Sequence, residues 1–195
     1  MSPVQRILVL DGNPNDDSYC RALGEAYQKG AKASGIEVRR IVVGHLSFDP
    51  NLGKGFKGGQ ALEPDLVKAQ EDIAWSQHIV IVHPVWWSDL PAVLKGFIDR
   101  VFLPGFAFKY HSKGPFWDKL LKGRSGHVIY TQDSPGWYYR LFLGRPTVKS
   151  LKKGLLEFCG VSPVRVTAFG PIRNSTPEIR RTWLEHVEEM GRRGI

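Results

Sequence analysis

Short apolar runs that alternate with helical stretches are the feature that most restricts what this chain can fold into. The clearest run, HIVIVHPV, is apolar at nearly every position, which is typical of a strand buried on both faces of a sheet. Five such runs are found, at residues 4–12, 36–43, 78–85, 126–132 and 162–170, and a stretch with helical spacing follows each. The alternation predicts one domain over residues 1–195, a doubly wound five-stranded parallel sheet with helices on both faces.

Ligands of doubly wound sheets bind beyond the carboxyl ends of the strands, where the strand order reverses. Three strand ends therefore matter, those after residues 11, 83 and 131. The first is followed by DGNPNDDSYCRAL, in which a helix begins. The unpaired N–H groups of that first turn suit a phosphate, and the Ser18 hydroxyl can add a hydrogen bond. The alternative is an ordinary helix start capped by Asp16 or Asp17, whose carboxylates would repel a phosphate unless they turn away.

Two adjacent tryptophans, Trp86 and Trp87, follow the third predicted strand. Neighbouring residues of an extended chain face opposite sides, so both rings cannot fill one core. More aromatic residues come later, at positions 102, 106, 108, 110, 116, 117, 137, 138 and 139. An apolar, flat-walled pocket for a planar heteroaromatic ligand explains them. The alternative is that they pack loops onto the sheet or form a dimer interface.

Composition limits the classes of partner and compartment. The net charge of +8 and the pI of about 9.6 favour anionic ligands, but the basic residues are scattered and no nucleic-acid motif accompanies them. We expect no nucleic-acid partner. The two cysteines lack CxxC spacing and no secretion signal precedes the first strand, so we expect reduced thiols in a cytoplasmic protein. Cys20, beside a helix start, could have a lowered thiol pKa, although no base is positioned to use it.

Two further motifs carry little weight. The sequence GKGFKG at residues 53–58 matches GxGxxG, but it follows no strand and opens no helix, so we interpret it as a flexible loop. The six histidines are dispersed, without the spacing of a metal site, and we expect no bound metal.

The block HPVWWSDLPAVLKGFIDRVFLPGFAFKY, followed by KGPF, resembles the flavodoxin-like NAD(P)H:quinone reductases of the DT-diaphorase type. That family also includes flavoprotein partners of glutathione-gated potassium efflux systems. The likeness extends over essentially the whole chain and includes DGNPNDDS and LEFCGV. It implies a flavodoxin-like fold, a bound flavin, NAD(P)H as reductant and two-electron ping-pong hydride transfer to a quinone or similar acceptor. The shorter chain slightly favours FMN over FAD.

The resemblance also implies roles for particular residues. The first loop would hold the flavin phosphate with Ser18 and the amides of Tyr19 and Cys20, and Asn13 would stand where the family often has histidine. A segment along the isoalloxazine edge would bring a backbone N–H near Trp87 to flavin N5, and a turn would contact the flavin from the other side. These two segments are Pro84, Val85, Trp86 and Trp87, and Thr131, Gln132, Asp133 and Ser134.

Three residues would act on the reacting ring or the substrate. By resemblance, Tyr139 would stabilise negative charge on the reduced flavin, as the one side chain with a catalytic role. Phe108 and Tyr110 would reach across a homodimer to cover the partner's site. The family's mammalian members pair the tyrosine with a histidine six residues on, where this chain has Arg145, so a tyrosine–histidine relay is not expected.

Two competing functions remain open from the sequence. The chain could be a regulatory flavoprotein subunit that docks on a membrane potassium efflux transporter, with secondary redox activity. It could also be a one-electron carrier, although the aromatics of a nicotinamide site would then be superfluous.

Overall fold

The computed structural model describes residues 4–57 and 59–195, and a five-stranded parallel sheet forms its centre. The strands are β1 (Arg6–Asp11), β2 (Glu37–Val42), β3 (His78–Pro84), β6 (Ser125–Thr131) and β7 (Val164–Phe169). They lie in the order β2-β1-β3-β6-β7, and every neighbouring pair is parallel. Strand order reverses between β1 and β3, so the predicted doubly wound sheet is confirmed. The three strand ends singled out from the sequence belong to adjacent strands.

Helices cover both faces of the sheet. They are α1 (Tyr19–Ala33), α2 (Pro64–Trp75), α3 (Ala92–Val101), α4 (Gly136–Leu141), α5 (Pro146–Val148) and α6 (Pro177–Arg193). The chain continues from α5 through a π-helical segment, Lys149–Glu157, where the sequence predicted an ordinary helix. Among the described residues, no helix is both long and apolar enough to cross a membrane.

The apolar strands divide their side chains between two cores, as their period of two requires. Leu8 and Leu10 of β1 face the core beneath α2 and α3, and Ile7 and Val9 face the core beneath α1 and α6. Strands β3 and β6 are buried along almost their whole length. This double burial explains why their sequences are continuously apolar instead of alternating.

Two features of the fold differ from the sequence prediction. A short antiparallel hairpin, β4 (Phe108–Tyr110) with β5 (Trp117–Lys119), lies outside the main sheet. Three-residue strands are too short for a pattern to be recognised. The residues STPE at 175–178 predict a capping box that starts at Ser175, and this prediction is wrong, because the last helix is capped by Thr176, whose side chain accepts from Ile179 N at 3.3 Å.

One buried cation holds the long loop between β2 and α2. Arg100 of α3 is fully buried and pairs with Glu63 at 2.8 Å. It also donates to the carbonyl oxygens of Asp49 and Ala61, so three points of the loop are fixed to α3. The last residue of the GxGxxG match, Gly58, lies outside the described residues.

Candidate cofactor site at the strand ends

Backbone and side-chain hydrogen bonds join the three strand ends into one edge. Gly12 N donates to Val82 O at 2.8 Å and Val85 N donates to Thr131 O at 2.8 Å. The Cys20 thiol lies 3.2 Å from Thr131 Oγ1, which links the start of α1 to the end of β6. The structure therefore brings together the three segments that were predicted to bind the cofactor.

The loop after β1 satisfies its polar groups from within. Asn13 N contacts Asp11 Oδ1 at 3.2 Å, Asn15 N donates to Asn13 Oδ1 at 3.0 Å, and Asp17 N donates to Asn15 Oδ1 at 3.0 Å. Each side chain thus accepts from the amide two residues on, the geometry that Asn and Asp favour in turns. The buried Asn13 fixes the loop through its own oxygen, so its side chain is already used in the turn.

Two arginines pair with two carboxylates of this loop, those of Asp11 and Asp16. Asp11 is fully buried, with Arg21 Nε 2.8 Å and Arg40 Nη2 3.2 Å from its Oδ2. Asp16 is bound by Arg21 and by His45, whose Nε2 lies 2.7 Å away, and the His45 hydrogen bond lowers the pKa of Asp16. The repulsion that Asp11 and Asp16 could exert on a phosphate is therefore offset. Asp17 remains exposed at the edge of the loop.

Ser18 caps α1, because its hydroxyl accepts from Arg21 N at 3.2 Å. The alternative that Asp16 or Asp17 is the cap is wrong. Among the described residues, none accepts from the backbone N–H of Ser18, Tyr19 or Cys20, so three neighbouring donors stay free at this helix start. Their side chains are occupied elsewhere, since the Tyr19 hydroxyl donates to Arg180 O at 2.6 Å.

Cys20 does not have the lowered thiol pKa that its position predicted. Its side chain is almost completely buried, and burial raises its pKa to about 12. The desolvation of the thiolate outweighs the positive end of the helix. Cys20 therefore serves as a packed link to Thr131.

The tryptophan pair lies in a tight turn, so the premise that both residues are extended is wrong. Trp86 N donates to Asp89 O at 3.0 Å, and Asp89 N donates to Trp86 O at 2.8 Å. Between them, Trp87 and Ser88 have φ angles of 52° and 63°, a region that non-glycine residues seldom occupy. Trp86 is 45% exposed and Trp87 is fully exposed, so neither residue fills the core.

This turn leaves donors and aromatic surface beside the sheet edge. Among the described residues, none accepts from the backbone N–H of Trp87 or Ser88. Backbone strain of this kind costs about 1–3 kcal/mol per residue and is found mostly at ligand sites. The turn can offer an N–H and a flat ring to the same planar ligand.

The loop after β6 contains a buried acceptor without a partner. Gln132 N donates to Phe169 O at 3.0 Å, and Gln132 Nε2 donates to Ser134 O at 3.0 Å. Gln132 Oε1 is buried and has no hydrogen-bond partner among the described residues. Asp133 accepts from Arg173 N at 2.7 Å, which ties the loop to the segment after β7. An orphaned amide oxygen at this place favours a ligand that donates a hydrogen bond.

Tyr139 lies behind this loop and not at its surface. It is 1% exposed, and its hydroxyl is 2.7 Å from Thr147 Oγ1. Burial raises its pKa. The neighbouring Tyr138 is 40% exposed and stacks on Phe142. Adjacent residues of a helix point in different directions, and the sequence could not say which tyrosine turns outward.

His83 is a site residue that the sequence analysis did not select. It is fully buried at the end of β3, with Nδ1 2.9 Å from Pro84 O and its ring stacked on Tyr130. Its Nε2 has no partner among the described residues, and burial lowers its pKa to about 4. The imidazole is therefore neutral below the tryptophan turn. Its place just before Pro84 was the only sequence signal.

Phe108 and Tyr110, predicted to bind substrate, lie on the separate β4–β5 hairpin. Phe108 is buried and Tyr110 is mostly exposed, with ring centroids 5.2 Å apart. Both line a cavity of about 300 Å³ beside α3 and the π-helical segment. None of the described residues predicted to bind the cofactor lines it. Within one chain, these two aromatics do not join the strand-end site.

Sequence relatives carry names from redox chemistry. An uncharacterized NAD(P)H oxidoreductase of Haemophilus influenzae is 27% identical over 91% of this chain and 90% of its own length. The NAD(P)H dehydrogenase [quinone] 1 of Rattus norvegicus is 25% identical over 93% of this chain and 74% of its own.

Solved structures have the same architecture. Smu.1420 from Streptococcus mutans superposes with a TM-score of 0.83 at 29% identity, over 96% of this chain and 98% of that one. An FMN-dependent NADH-azoreductase of Bacillus anthracis, solved with FMN, gives a TM-score of 0.70 at 19% identity, over 96% and 97%. The family model described as flavodoxin-like fold matches residues 5–191, and the chain belongs to that family.

Proposed function

We propose that this protein is a flavin-dependent NAD(P)H oxidoreductase that reduces quinones or similar acceptors by two electrons. The observation that carries the proposal is the convergence of free amides, an exposed tryptophan turn and an orphaned amide oxygen on one edge of a flavodoxin-like sheet. The names of the relatives agree with this chemistry.

The residues present fit a flavin at both of its ends. The N–H groups of Ser18, Tyr19 and Cys20 form an anion site of the kind that helix starts provide for phosphates, and the paired Asp16 does not oppose it. At the other end, the N–H of Trp87 and the orphaned Gln132 Oε1 supply a donor and an acceptor for a heteroaromatic ring. We propose FMN, because one phosphate accounts for the donors at the start of α1.

A bound flavin would supply hydride chemistry between a nicotinamide and a quinone, and the chain's own residues have four tasks. The amides at α1 bind and orient the phosphate. The strained turn holds the Trp87 N–H and ring in a fixed position, so little reorganisation is needed when charge develops nearby. The neutral His83 below the turn adds no competing cation. Pro84, Val85 and Thr131 fix the spacing of the two loops through the Val85–Thr131 bond.

Tyr139 is assigned a positioning role in this proposal, in place of direct contact with the reacting ring. Its buried hydroxyl holds Thr147, and its N–H donates to Pro135 O at 3.1 Å. It thereby fixes the α4 segment that follows Gln132, Asp133 and Ser134. A Tyr139→Phe variant tests the assignment. Positioning predicts that kcat falls less than tenfold with an unchanged pH profile, whereas a catalytic hydroxyl predicts a larger fall in kcat and a shifted profile.

A homodimer completes the proposed site. Tyr110 is exposed, and together with the buried Phe108 it lines a cavity that none of the described residues predicted to bind the cofactor reaches. A second copy would place its exposed Tyr110 over Trp87 and exclude water. The Tyr110→Ala variant should then raise KM for quinone while leaving flavin content unchanged.

The experiment is anaerobic titration of the purified protein. The flavin absorbance near the visible maximum should be bleached by NADH or NADPH and restored by a quinone. A protein that binds flavin but is not bleached by either nucleotide would contradict the reductase assignment. Steady-state oxidation of NAD(P)H with a soluble quinone, compared with one without acceptor, measures turnover.

A further inference from the structure

A second surface, separate from the strand-end site, combines exposed apolar side chains with unpaired cations. Leu141 and Phe142 at the end of α4 are 71% and 70% exposed, and Trp137 is 60% exposed. The rings of Trp137 and Phe142 lie with centroids 6.0 Å apart, so they form one cluster. We call this cluster, together with Leu143, the α4 apolar tip. Apolar side chains that are exposed to water add no stability to a monomer, and clusters of this kind mark interaction sites.

A basic groove adjoins the α4 apolar tip, and Leu141 belongs to both. The groove has a volume of about 1110 Å³ and runs beside the edge strand β7, between the π-helical segment and α6. Five of its cations form no ion pair with any described residue, and they are Arg140, Arg145, Lys149, Lys153 and Arg165. Among the described residues that line the groove, Glu189 is the one acidic side chain, and it is already paired with Arg193 at 2.9 Å.

We propose that the α4 apolar tip and the basic groove dock this protein on the surface of an anionic phospholipid bilayer. Exposed aromatic and aliphatic side chains enter the headgroup region, and neighbouring cations meet the phosphates. Tryptophan is the residue that prefers this boundary. Because no described helix is suited to crossing a membrane, the contact is peripheral and reversible.

Other occupants explain less of the surface. A nucleic acid would satisfy the cations but would leave Leu141 and Phe142 in water. A second copy packed through this surface would bury unpaired cations such as Arg145, Lys149 and Lys153, and the acidic side chain in the described lining, Glu189, is already paired. A bilayer accommodates the apolar side chains and the charges together.

The test is flotation of the purified protein with phosphatidylcholine vesicles that contain phosphatidylglycerol, compared with pure phosphatidylcholine. We expect binding to the anionic vesicles alone, weakened by salt. The Lys149→Glu/Lys153→Glu variant should lose at least roughly tenfold in affinity, since each basic residue near such a surface contributes strongly. The Leu141→Ser/Phe142→Ser variant should lose a similar factor at unchanged net charge.

Matched controls place equal changes outside the surface. Lys32→Glu/Arg181→Glu alters the charge by the same amount on α1 and α6, and Val67→Ser/Ile179→Ser removes two partly exposed apolar groups. Both should float like the wild type. Circular dichroism and urea unfolding verify that each variant is folded.

Three outcomes would overturn the proposal. The first is wild-type protein that does not bind anionic vesicles. The second is binding that the surface variants retain or that the controls lose equally. The third is preferential binding of single-stranded RNA or an acidic polypeptide in competition with the vesicles. None of these depends on the redox chemistry, so the outcome is separable from a failure of the oxidoreductase proposal.

Discussion

Two neighbouring strand ends of the same sheet each contain a buried titratable side chain, and the two side chains are stabilised in different ways. Strand β1 ends at Asp11, a fully buried carboxylate that forms ion pairs with Arg21 and Arg40. Strand β3 ends near His83, which is equally buried and loses its charge. A buried charge needs partners that are themselves held in place, whereas a neutral ring needs only packing.

The loops that follow differ in the same way. After β1 the loop is polar, its turns are closed by its own side chains, and the helix-start amides stay free of acceptors among the described residues. After β3 the loop is aromatic, strained and open, with an exposed tryptophan. The first loop is suited to an anion at a fixed point, and the second to the face and edge of a ring.

Removing the charge at the end of β1 should have the largest effect on stability. In Asp11→Ala, the partly buried Arg21 and Arg40 keep only their ion pairs with the exposed Asp16 and Glu25. We expect a loss of about 3 kcal/mol in the free energy of unfolding. Urea unfolding measures it. Asp17→Ala is the matched control, because this exposed carboxylate forms no ion pair with a described residue, and it should change stability by less than about 0.5 kcal/mol. Equal losses would contradict the paired-charge account.

Acid should destabilise the protein through His83. Its pKa is about 4 in the folded chain and 6.5 when unfolded, so between these values the unfolded chain binds a proton that the folded chain does not. Stability therefore falls as the pH falls, by about 2 kcal/mol between pH 6 and pH 4.5 from this residue. His78, whose burial lowers its pKa to about 3, adds to the slope.

In the His83→Phe variant, the free energy of unfolding should depend less strongly on pH, because the unfolded chain no longer binds a proton at this position. Urea unfolding at several pH values measures it, with the exposed His186→Gln variant as control. A slope that stays the same in His83→Phe would show that His83 is not buried in its neutral form.

The exposed tryptophan should matter for ligand binding and not for folding. Trp87→Ala removes a ring that contacts solvent only, so the free energy of unfolding should change little. A lost stacking contact of about 1 kcal/mol corresponds to a roughly fivefold to tenfold weaker flavin or acceptor affinity. Fluorescence titration with FMN, together with KM for a quinone, measures it. Trp75→Ala, on α2 outside the site, is the comparison and should leave both binding constants unchanged.

The smallest effect is expected from relieving strain in the turn. Ser88→Gly keeps the turn and accepts φ of 63° without cost, so the variant should be about 1 kcal/mol more stable. If the strain serves to fix the Trp87 N–H, the same variant should bind flavin less tightly. Thermal unfolding with and without FMN separates the two effects, and a destabilised variant would contradict the assignment of strain.

The sequence predicted the fold because strands that helices cover on both faces are apolar at nearly every position. Such runs can be recognised in the sequence without knowledge of the tertiary structure. It also located the three strand ends. It could not predict the conformation of Trp87 and Ser88, since nothing in these residue types favours a positive φ. The turn exists because Asp89 and Trp86 close it. The buried place of Tyr139 was equally hidden, because it depends on Thr147 eight residues further on.

The measurement that tests the central claim most directly is identification of the cofactor. Protein purified without added flavin is denatured, and the released small molecules are separated by chromatography with absorbance detection. The account predicts FMN in roughly equimolar amount, or a protein that takes up FMN on reconstitution and then becomes yellow. A colourless protein that binds neither FMN nor FAD would contradict it.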